Sequence, residues 1–176
     1  LDEDMLLEMK FDENADYHVF IRDAFKAGGG QNMKFYKMDD FCKLAYVAAD
    51  RLLEGIDFGE EECGMVLSGR YGCLDTDMKH QQVIDSEGDA GASPAVFVYT
   101  LPNVAAGEVS IRHHIKGENT WFWSDDRQMR DIRQYAGMMM AAQDLKYCII
   151  EYGQDELKQL LLYLRKRYIL RDSQKK

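Results

Sequence analysis

The chain has 176 residues, of which 46% are hydrophobic and 30% are charged, as expected of a soluble globular protein that builds one domain with a sizeable core. Its formal net charge of −9 argues against nucleic acid and anionic lipid as partners, because both are bound through Lys and Arg. No apolar run approaches the roughly 20 residues that span a bilayer, and the chain does not begin with a signal-peptide pattern. We therefore expect a cytoplasmic protein without a membrane span.

The four cysteines do not form a metal-binding pattern. They are Cys42, Cys63, Cys73 and Cys148, with no Cys-x-x-Cys pair among them. No pair of histidines joins them at the spacing of a zinc site. We interpret them as reduced, buried thiols and predict no metal and no cofactor.

The first 34 residues form an acidic segment whose structure the sequence does not indicate. Residues 17–21 fit the beginning of either a helix or a strand. The run Gly28-Gly29-Gly30 is interpreted as a flexible loop, because the Gly-Lys-Ser/Thr of a phosphate-binding loop does not follow it. We predict an N-terminal segment at residues 1–34, a main domain at residues 35–170 and a basic tail at residues 171–176.

Residues 39–54 predict a helix. Apolar side chains spaced along one helical face support it: Phe41, Leu44, Ala45, Ala48 and Leu52. Asp39 is a suitable N-cap and Gly55 a suitable stop. The pattern indicates a helix that packs into the core, and nothing in it suggests chemistry.

A short strand and a second helix follow. Residues 63–68 are apolar and predict a buried strand, and residues 69–73, with two glycines, predict a turn. Asp75 or Thr76 can cap a helix that runs to about residue 84. Residues 87–92 are expected to form a loop.

Residues 93–119 are the stretch from which we interpret the rest of the chain. A β-rich run at residues 96–99 leads to Thr100, which can cap a helix at residues 104–115. Gly117 is placed to end that helix in a left-handed conformation. Three small residues near the helix start allow another backbone to approach closely: Ala105, Ala106 and Gly107.

The last third of the chain alternates strand and helix signals. Residues 120–123 predict a strand, and residues 127–144 predict a helix. Its apolar face consists of Met129, Ile132, Ala136, Met139 and Met140. Residues 147–152 predict a strand that Gly153 ends, whereas residues 157–168 fit either a helix or a buried strand. This alternation argues for a layered α/β architecture.

One long motif carries a family resemblance. Residues 103–112 read Asn-Val-Ala-Ala-Gly-Glu-Val-Ser-Ile-Arg, and residues 116–119 read Lys-Gly-Glu-Asn. The motif resembles the N-terminal half of the β-ketoacyl synthases, and more narrowly the short 3-oxoacyl-carrier-protein synthase proteins of Bacteroidetes-type bacteria. The resemblance covers roughly residues 35–153. It implies half of a thiolase-like fold, makes residues 35–170 a ketosynthase-like domain, and favours a strand hairpin for residues 157–168.

The resemblance also locates the family's nucleophile, which is missing. In that family a Cys that takes the acyl chain lies seven residues after the Asn of the second motif, and here that position is Asp126. The half of the enzyme that supplies two catalytic histidines is absent. We therefore predict no catalytic residue, with Cys73 as an alternative nucleophile, because it follows a glycine turn near a possible helix start. His113 and His114 are adjacent on a helix and cannot act as a pair.

These features predict a non-catalytic β-ketoacyl synthase-like protein, an accessory partner in fatty-acid or polyene-type acyl chain synthesis. One alternative is 3-oxoacyl-acyl-carrier-protein synthase activity, an acyltransfer with a second chain supplying the missing half. Another is a module that binds acyl chains or acyl carrier protein. Because carrier proteins are acidic, docking would need a basic patch, such as residues 165–167 with Arg171.

The partner predicted from the resemblance is a ketosynthase-like chain or a second copy of this chain. We expect the contacts on the strand at residues 120–123 and the helix at residues 104–115. Four residues are candidates for this interface: Trp121, Trp123, Glu108 and Arg112. The two tryptophans are the candidate anchors, because aromatic side chains dominate interface energies.

Overall fold

A computed structural model gives the structure of the chain and describes residues 2–9, 16–124, 129–154 and 159–167. These residues form strands and α-helices, together with two 3₁₀ helices at Met33–Lys37 and Gly88–Gly91. The elements are β1 (Asp2–Met9), α1 (Tyr17–Ala27), α2 (Asp40–Leu52), β2 (Cys63–Gly69), α3 (Leu74–Glu87), α4 (Pro94–Val98), α5 (Asn103–His113), β3 (Asn119–Trp123), α6 (Met129–Gln143), β4 (Tyr147–Gln154) and β5 (Gln159–Arg167).

The strands form one mixed sheet in the order β1-β5-β4-β2-β3. Strand β2 is parallel to both β3 and β4, so helical crossovers connect these three strands, as parallel pairs require. Strands β4 and β5 form an antiparallel hairpin, with Gln154 opposite Gln159. The hairpin predicted for residues 157–168 is therefore confirmed for its described part.

Alternate residues of the central strands face two separate cores. Met65 and Ile149 belong to the larger core, which α1, α2 and α5 cover. Val66 and Ile150 belong to the smaller core, which α6 covers. Helices on both faces of a largely parallel centre explain why β2 is buried at every position. The predicted layered α/β architecture is confirmed.

Helix α2 forms as predicted. The carboxylate of Asp39 accepts a hydrogen bond from the backbone N–H of Cys42 at 2.9 Å, which caps the first turn. The predicted apolar face packs into the larger core, with Ala48 and Leu52 buried. Gly55 lies beyond the helix end with a φ of 76°, a conformation that favours glycine.

The N-terminal segment contains one strand and one helix among its described residues. Strand β1 pairs with β5, and its register places residues 2–4 opposite residues 167–165, part of the basic patch predicted for carrier docking. Helix α1 contributes Tyr17, Ile21 and Phe25 to the larger core. The run of glycines follows α1 and leads to the first 3₁₀ helix, and its flexibility stays a prediction. The domain boundary at residue 34 stays a prediction.

The strand predicted at residues 96–99 is wrong, because this run lies in α4 and the turn after it. Ser93 caps α4 by accepting a hydrogen bond from Val96, and Pro94 occupies the first turn, where its missing N–H costs nothing. Thr100 does not cap α5, since its hydroxyl donates to the carbonyl of Phe97 at 2.8 Å. Helix α5 begins after Pro102 without a side-chain cap.

Three further predicted boundaries are wrong. Helix α3 begins after Cys73 without a side-chain cap, and its Thr76 bonds to another helix. The left-handed residue that ends α5 is His114, with a φ of 55°, and not Gly117. Strand β4 continues through Gly153 to Gln154, because its pairing with β2 and β5 includes Gly153.

Candidate functional site

The carboxyl ends of the parallel strands meet at one edge of the sheet. Gly69 at the end of β2 is in register with Trp123 of β3 on one side and with Gly153 of β4 on the other. This is the edge at which α/β proteins bind ligands. The chain leaves β3 at Ser124, whose backbone N–H donates to the carbonyl of Gly69 at 3.1 Å. Asp126, which the resemblance puts at the position of the family's nucleophile, lies outside the described residues.

The turn after β2 packs against the end of β3. Gly72 has a φ of 59°, and a Cβ at this position would lie 3.0 Å from Pro102 and 3.2 Å from the ring of Trp123. A larger residue would therefore meet the start of α5 and the tryptophan together. This packing places the turn beside Trp123 at the carboxyl edge of the sheet.

Cys73, the alternative nucleophile, is buried beside a carboxylate. Its side chain is 5% exposed, and its thiol hydrogen-bonds to Asp39. Asp39 also accepts a hydrogen bond from the hydroxyl of Thr76 at 3.4 Å. Burial raises the pKa of Asp39, although its bonds to Cys42, Cys73 and Thr76 oppose that rise. A neighbouring carboxylate disfavours a thiolate, so this arrangement holds two helix starts together better than it activates a nucleophile.

The adjacent histidines, His113 and His114, lie in different environments. His113 is partly buried, and its Nε2 lies 3.0 Å from Oδ1 of Asp50. His114 is exposed. Arg112 donates from Nε to the same oxygen of Asp50 at 3.0 Å. Burial would raise the pKa of Asp50, but the hydrogen bonds from His113 and Arg112 lower it. The cluster joins α2 to α5.

A cavity of about 350 Å³ opens between the ends of α2 and α5. Its lining mixes apolar, acidic and imidazole groups: Leu53, Ile56, Asp57, Phe58, Glu60, His113 and His114. In the part of the chain that the structure describes, no group of three His, Cys, Asp or Glu side chains is placed to hold a metal ion. The cavity lies away from the carboxyl edge and brings no nucleophile to it.

The four predicted interface residues differ in how far they reach solvent. Trp123 is 63% exposed, whereas Trp121 is partly buried with its ring 5.3 Å from that of Phe41. Glu108 is buried and accepts a hydrogen bond from the hydroxyl of Tyr99 at 3.4 Å. Arg112 is bound to Asp50 within the chain. Trp123 is therefore the most exposed of the four; their role in partner binding stays a prediction.

An extended surface that sequence reasoning missed lies next to Trp123. Residues 74–104, which we call the uncovered segment, contain α3 and α4 but no buried residue. Their exposed large apolar side chains are Leu74, Met78, Val83, Val96, Phe97, Val98 and Leu101. One feature of the sequence could have indicated this exposure: the apolar residues of α3 do not recur at the spacing of a buried helical face.

Strand β3 is an edge strand. Its inner edge pairs with β2, and no other described strand pairs with its outer edge. The exposed Trp123 ends this strand, and the turn that packs on Trp123 leads directly into α3. The start of the uncovered segment therefore lies close to Trp123, at the end of the open edge. No helix in the described residues is both long and apolar enough to cross a membrane.

Solved structures share this fold at low sequence identity. A type II PKS acyl-carrier protein in complex with its ketosynthase bound to the hexaketide matches with a TM-score of 0.71 and 13% identity, over 92% of this chain and 61% of that chain. The ishigamide ketosynthase/chain length factor matches with a TM-score of 0.68 and 17% identity, over 91% of this chain and 54% of that chain. A ketosynthase (ApeO) in complex with its chain length factor (ApeC) from Xenorhabdus doucetiae matches with a TM-score of 0.64 and 13% identity, over 78% and 61%.

These comparisons extend the resemblance seen in the sequence. The chain spans between 54% and 61% of the length of the solved chains that it matches. Comparison with curated protein sequences finds no match. The family model described as "Beta-ketoacyl synthase, N-terminal domain" matches residues 13–124, a range that begins before the predicted boundary at residue 35. The chain therefore belongs to the β-ketoacyl synthase family, as a member that resembles its N-terminal half and has its thiolase-like fold.

Proposed function

We propose that this chain is a non-catalytic, ketosynthase-like subunit that pairs with a second ketosynthase-fold chain and serves as an accessory in fatty-acid or polyene-type acyl chain synthesis. The observation that carries the proposal is the uncovered segment beside the open edge of β3. The partner is either a second copy of this chain or a related chain of the same fold.

The uncovered segment needs a partner surface on physical grounds. An isolated helix as short as α3 is marginal in water, and most helical stability in proteins comes from packing an apolar face. Helix α3 nevertheless has no buried residue, and Phe97 on α4 is 53% exposed. Contiguous exposed apolar surface marks protein contact sites. A partner that covers this segment would supply the packing that the single chain lacks.

The open edge of β3 supports a partner that also contains a sheet. Edge strands expose unpaired N–H and C=O groups, which readily pair with a strand of another chain. Two similar structures are of a ketosynthase with its chain length factor. A partner of the same fold would offer both an edge strand and an apolar helical surface.

Two observations favour a subunit without its own condensing activity. The family resemblance puts Asp126 at the position of the nucleophile, and a carboxylate cannot form the acyl thioester that a thiolate forms. Cys73, the alternative thiol, is buried against Asp39. The alternative function is acyl transfer with a second chain supplying the missing half, and incubation with an acyl thioester tests it.

Sedimentation velocity tests the pairing. We expect a dimer, or a complex with a co-purified chain that mass spectrometry identifies as ketosynthase-fold. Phe97→Asp and Trp123→Asp place a charge on the interface and should weaken association by at least about tenfold. Met138→Asp is the matched control, because Met138 is 64% exposed and lies on α6, outside both β3 and the uncovered segment. A protein that stays monomeric and co-purifies with no ketosynthase-fold chain would overturn the proposal.

Intact mass after incubation with a long-chain acyl thioester tests the absence of catalysis. We expect no adduct on the folded protein with its thiols intact. A stoichiometric adduct that disappears in Cys73→Ala would establish a covalent acyl step instead. The two experiments are independent, since the first measures pairing and the second measures chemistry.

A further inference from the structure

The cavity between the ends of α2 and α5 lies at the amino ends of the parallel strands. Its lining residues between 53 and 60 come shortly before β2, and His113 and His114 come shortly before β3. Because β2 and β3 are parallel, both segments approach the sheet at the same edge. The carboxyl edge, with Gly69 and Trp123, is at the other end of these strands. The cavity is therefore separate from that edge, and its lining belongs neither to β3 nor to the uncovered segment.

Apolar side chains give the cavity a fixed hydrophobic lining. Leu53 belongs to the larger core and is 6% exposed, and Ile56 and Phe58 are partly buried against that core. Packing therefore holds these three side chains in place whether or not the cavity is filled. The volume of about 350 Å³ is within the range of small-molecule sites, roughly 300–1,000 Å³. An occupant of this size would place an apolar body against the lining.

One carboxylate of the lining lacks a neutralising neighbour. Glu60 pairs with the amine of Lys116, and the nearby Asp50 accepts a hydrogen bond from Arg112 at 3.0 Å. Asp57, in contrast, is exposed, and its side chain makes no hydrogen bond or ion pair in the part of the chain that the structure describes. The cavity therefore offers a single uncompensated negative charge beside its apolar lining.

The backbone adds to the negative potential of the cavity. Helix α2 ends at Leu52 and α5 ends at His113, so both helices direct their C-terminal ends toward the cavity. Such an end carries roughly half an elementary negative charge, because its last carbonyl groups have no partner within the helix. Two converging C-terminal ends favour a cation at the same place as Asp57 does.

His114 lines the cavity in a left-handed conformation, with a φ of 55°. Residues other than glycine adopt this conformation rarely, and it is concentrated at binding positions. We propose that the cavity binds a small organic amine with an apolar body. The ammonium group pairs with Asp57 and donates to an imidazole nitrogen of His114. The apolar body covers Leu53, Ile56 and Phe58.

The other classes of small ligand fit this cavity less well. A carboxylate or phosphate would meet Asp57 and the two helix C-terminal ends with a charge of the same sign. A neutral apolar molecule would leave Asp57 without a partner. A bare metal ion would need several ligands, and the described residues contain no group of three His, Cys, Asp or Glu side chains that could hold one.

Isothermal titration calorimetry of the full chain with 2-phenylethylamine at pH 7 and low salt tests the proposal. We expect saturable binding with a Kd on the order of 100 µM. Two analogues separate the contributions of charge and apolar surface. Ethanolamine lacks the apolar body and 2-phenylethanol lacks the charge, so each should bind at least about tenfold more weakly.

A pair of variants and a map of the contacts locate the site. Asp57→Asn should weaken binding of the amine by about fivefold without changing that of 2-phenylethanol. Asp131→Asn is the matched control, because Asp131 is an exposed carboxylate on α6 outside the lining, and it should change the affinity by less than about twofold. In NMR spectra of ¹⁵N-labelled protein, the amine should shift the amide signals of residues 53–60 and 113–114. Equal binding of amine and alcohol, equal loss in the two variants, or shifts confined to another part of the chain would each overturn the proposal.

Discussion

Gly117 lies directly against the backbone carbonyl of Cys63. A Cβ on Gly117 would come within 2.2 Å of that oxygen, far inside van der Waals contact. The approach brings the chain between α5 and β3 onto the start of β2, where Lys116 donates its backbone N–H to the carbonyl of Glu60 at 2.7 Å. Gly117 is therefore required by packing, and not by the left-handed conformation that its position after a helix predicted.

Gly117→Ala should lower the free energy of unfolding by about 2–3 kcal/mol, because the new methyl group meets backbone atoms that cannot move independently. Gly107→Ala is the matched control. It lies in α5 with no atom within 4 Å of an added Cβ, and alanine there should stabilise the helix by about 0.5–1 kcal/mol. Urea unfolding followed by circular dichroism measures both. Equal effects of the two substitutions would contradict this account.

Asp50 should stabilise the folded protein at neutral pH and lose this effect in acid. Its folded pKa is lowered from 3.8 by the hydrogen bonds from His113 and Arg112, although burial opposes that shift. The unfolded chain therefore binds a proton more readily, so the stabilisation is present above about pH 4 and is lost as the pH falls through the folded pKa. Asp50→Asn should lower the free energy of unfolding at pH 7 by about 1–2 kcal/mol.

Urea unfolding of wild type and Asp50→Asn between pH 2 and 7 checks this linkage. The difference in unfolding free energy between the two proteins should shrink as the pH falls. A difference that stays constant with pH would show that the charge of Asp50 does not matter. Arg112→Ala should lower stability in the same pH range, which separates its role within the chain from the predicted role in partner contact.

Elements with strong periodicity were predictable from the sequence. The spacing of Phe41, Leu44 and Leu52 identified α2, and the apolar run ending at Ser68 identified β2, because burial on one or both faces leaves a direct trace in the sequence. The strand predicted at residues 96–99 is wrong, because residue propensity alone supported it. Its β-branched and aromatic residues have strand propensity, but Ser93 and Pro94 start a helix there, and its exposed residues join no sheet.

The candidate site was less predictable, because its contacts join distant parts of the chain. Arg112 bonds to Asp50, 62 residues away, and Thr76 bonds to Asp39, 37 residues away. No local pattern announces such pairs. The exposure of Trp123 depends in the same way on β3 lying at the sheet edge, which the order of strands along the chain does not determine.

Asp39 should show the opposite pH dependence to Asp50. Burial raises its folded pKa above 3.8, so the folded state holds a proton that the unfolded chain has already released. Stability from this group is present at low pH and falls as the pH rises through the folded pKa. Asp39→Asn keeps the cap without the buried charge and should change stability at pH 7 by less than about 0.5 kcal/mol, whereas Asp39→Ala should cost about 1 kcal/mol.

Chemical denaturation at pH 4 and pH 7 distinguishes these cases. Relative to Asp39→Asn, the wild type should be more stable at the lower pH than at the higher. If Asp39→Asn lowers the free energy of unfolding at pH 7 as much as Asp39→Ala does, the ionised carboxylate itself is needed to hold α2 and α3 together. That result would contradict the view that burial disfavours the charged form of Asp39.

The four thiols should react slowly in the folded protein. Cys42, Cys63, Cys73 and Cys148 are each at most 5% exposed, and burial raises the pKa of Cys63 to about 12. Because the thiolate is the reactive form, a thiol reagent monitored by absorbance should label the native protein slowly and all four thiols quickly in denaturant. A single fast thiol that Cys73→Ala removes would mean that Cys73 is accessible and activated. That result would favour acyl transfer over a purely structural contact between Cys73 and Asp39.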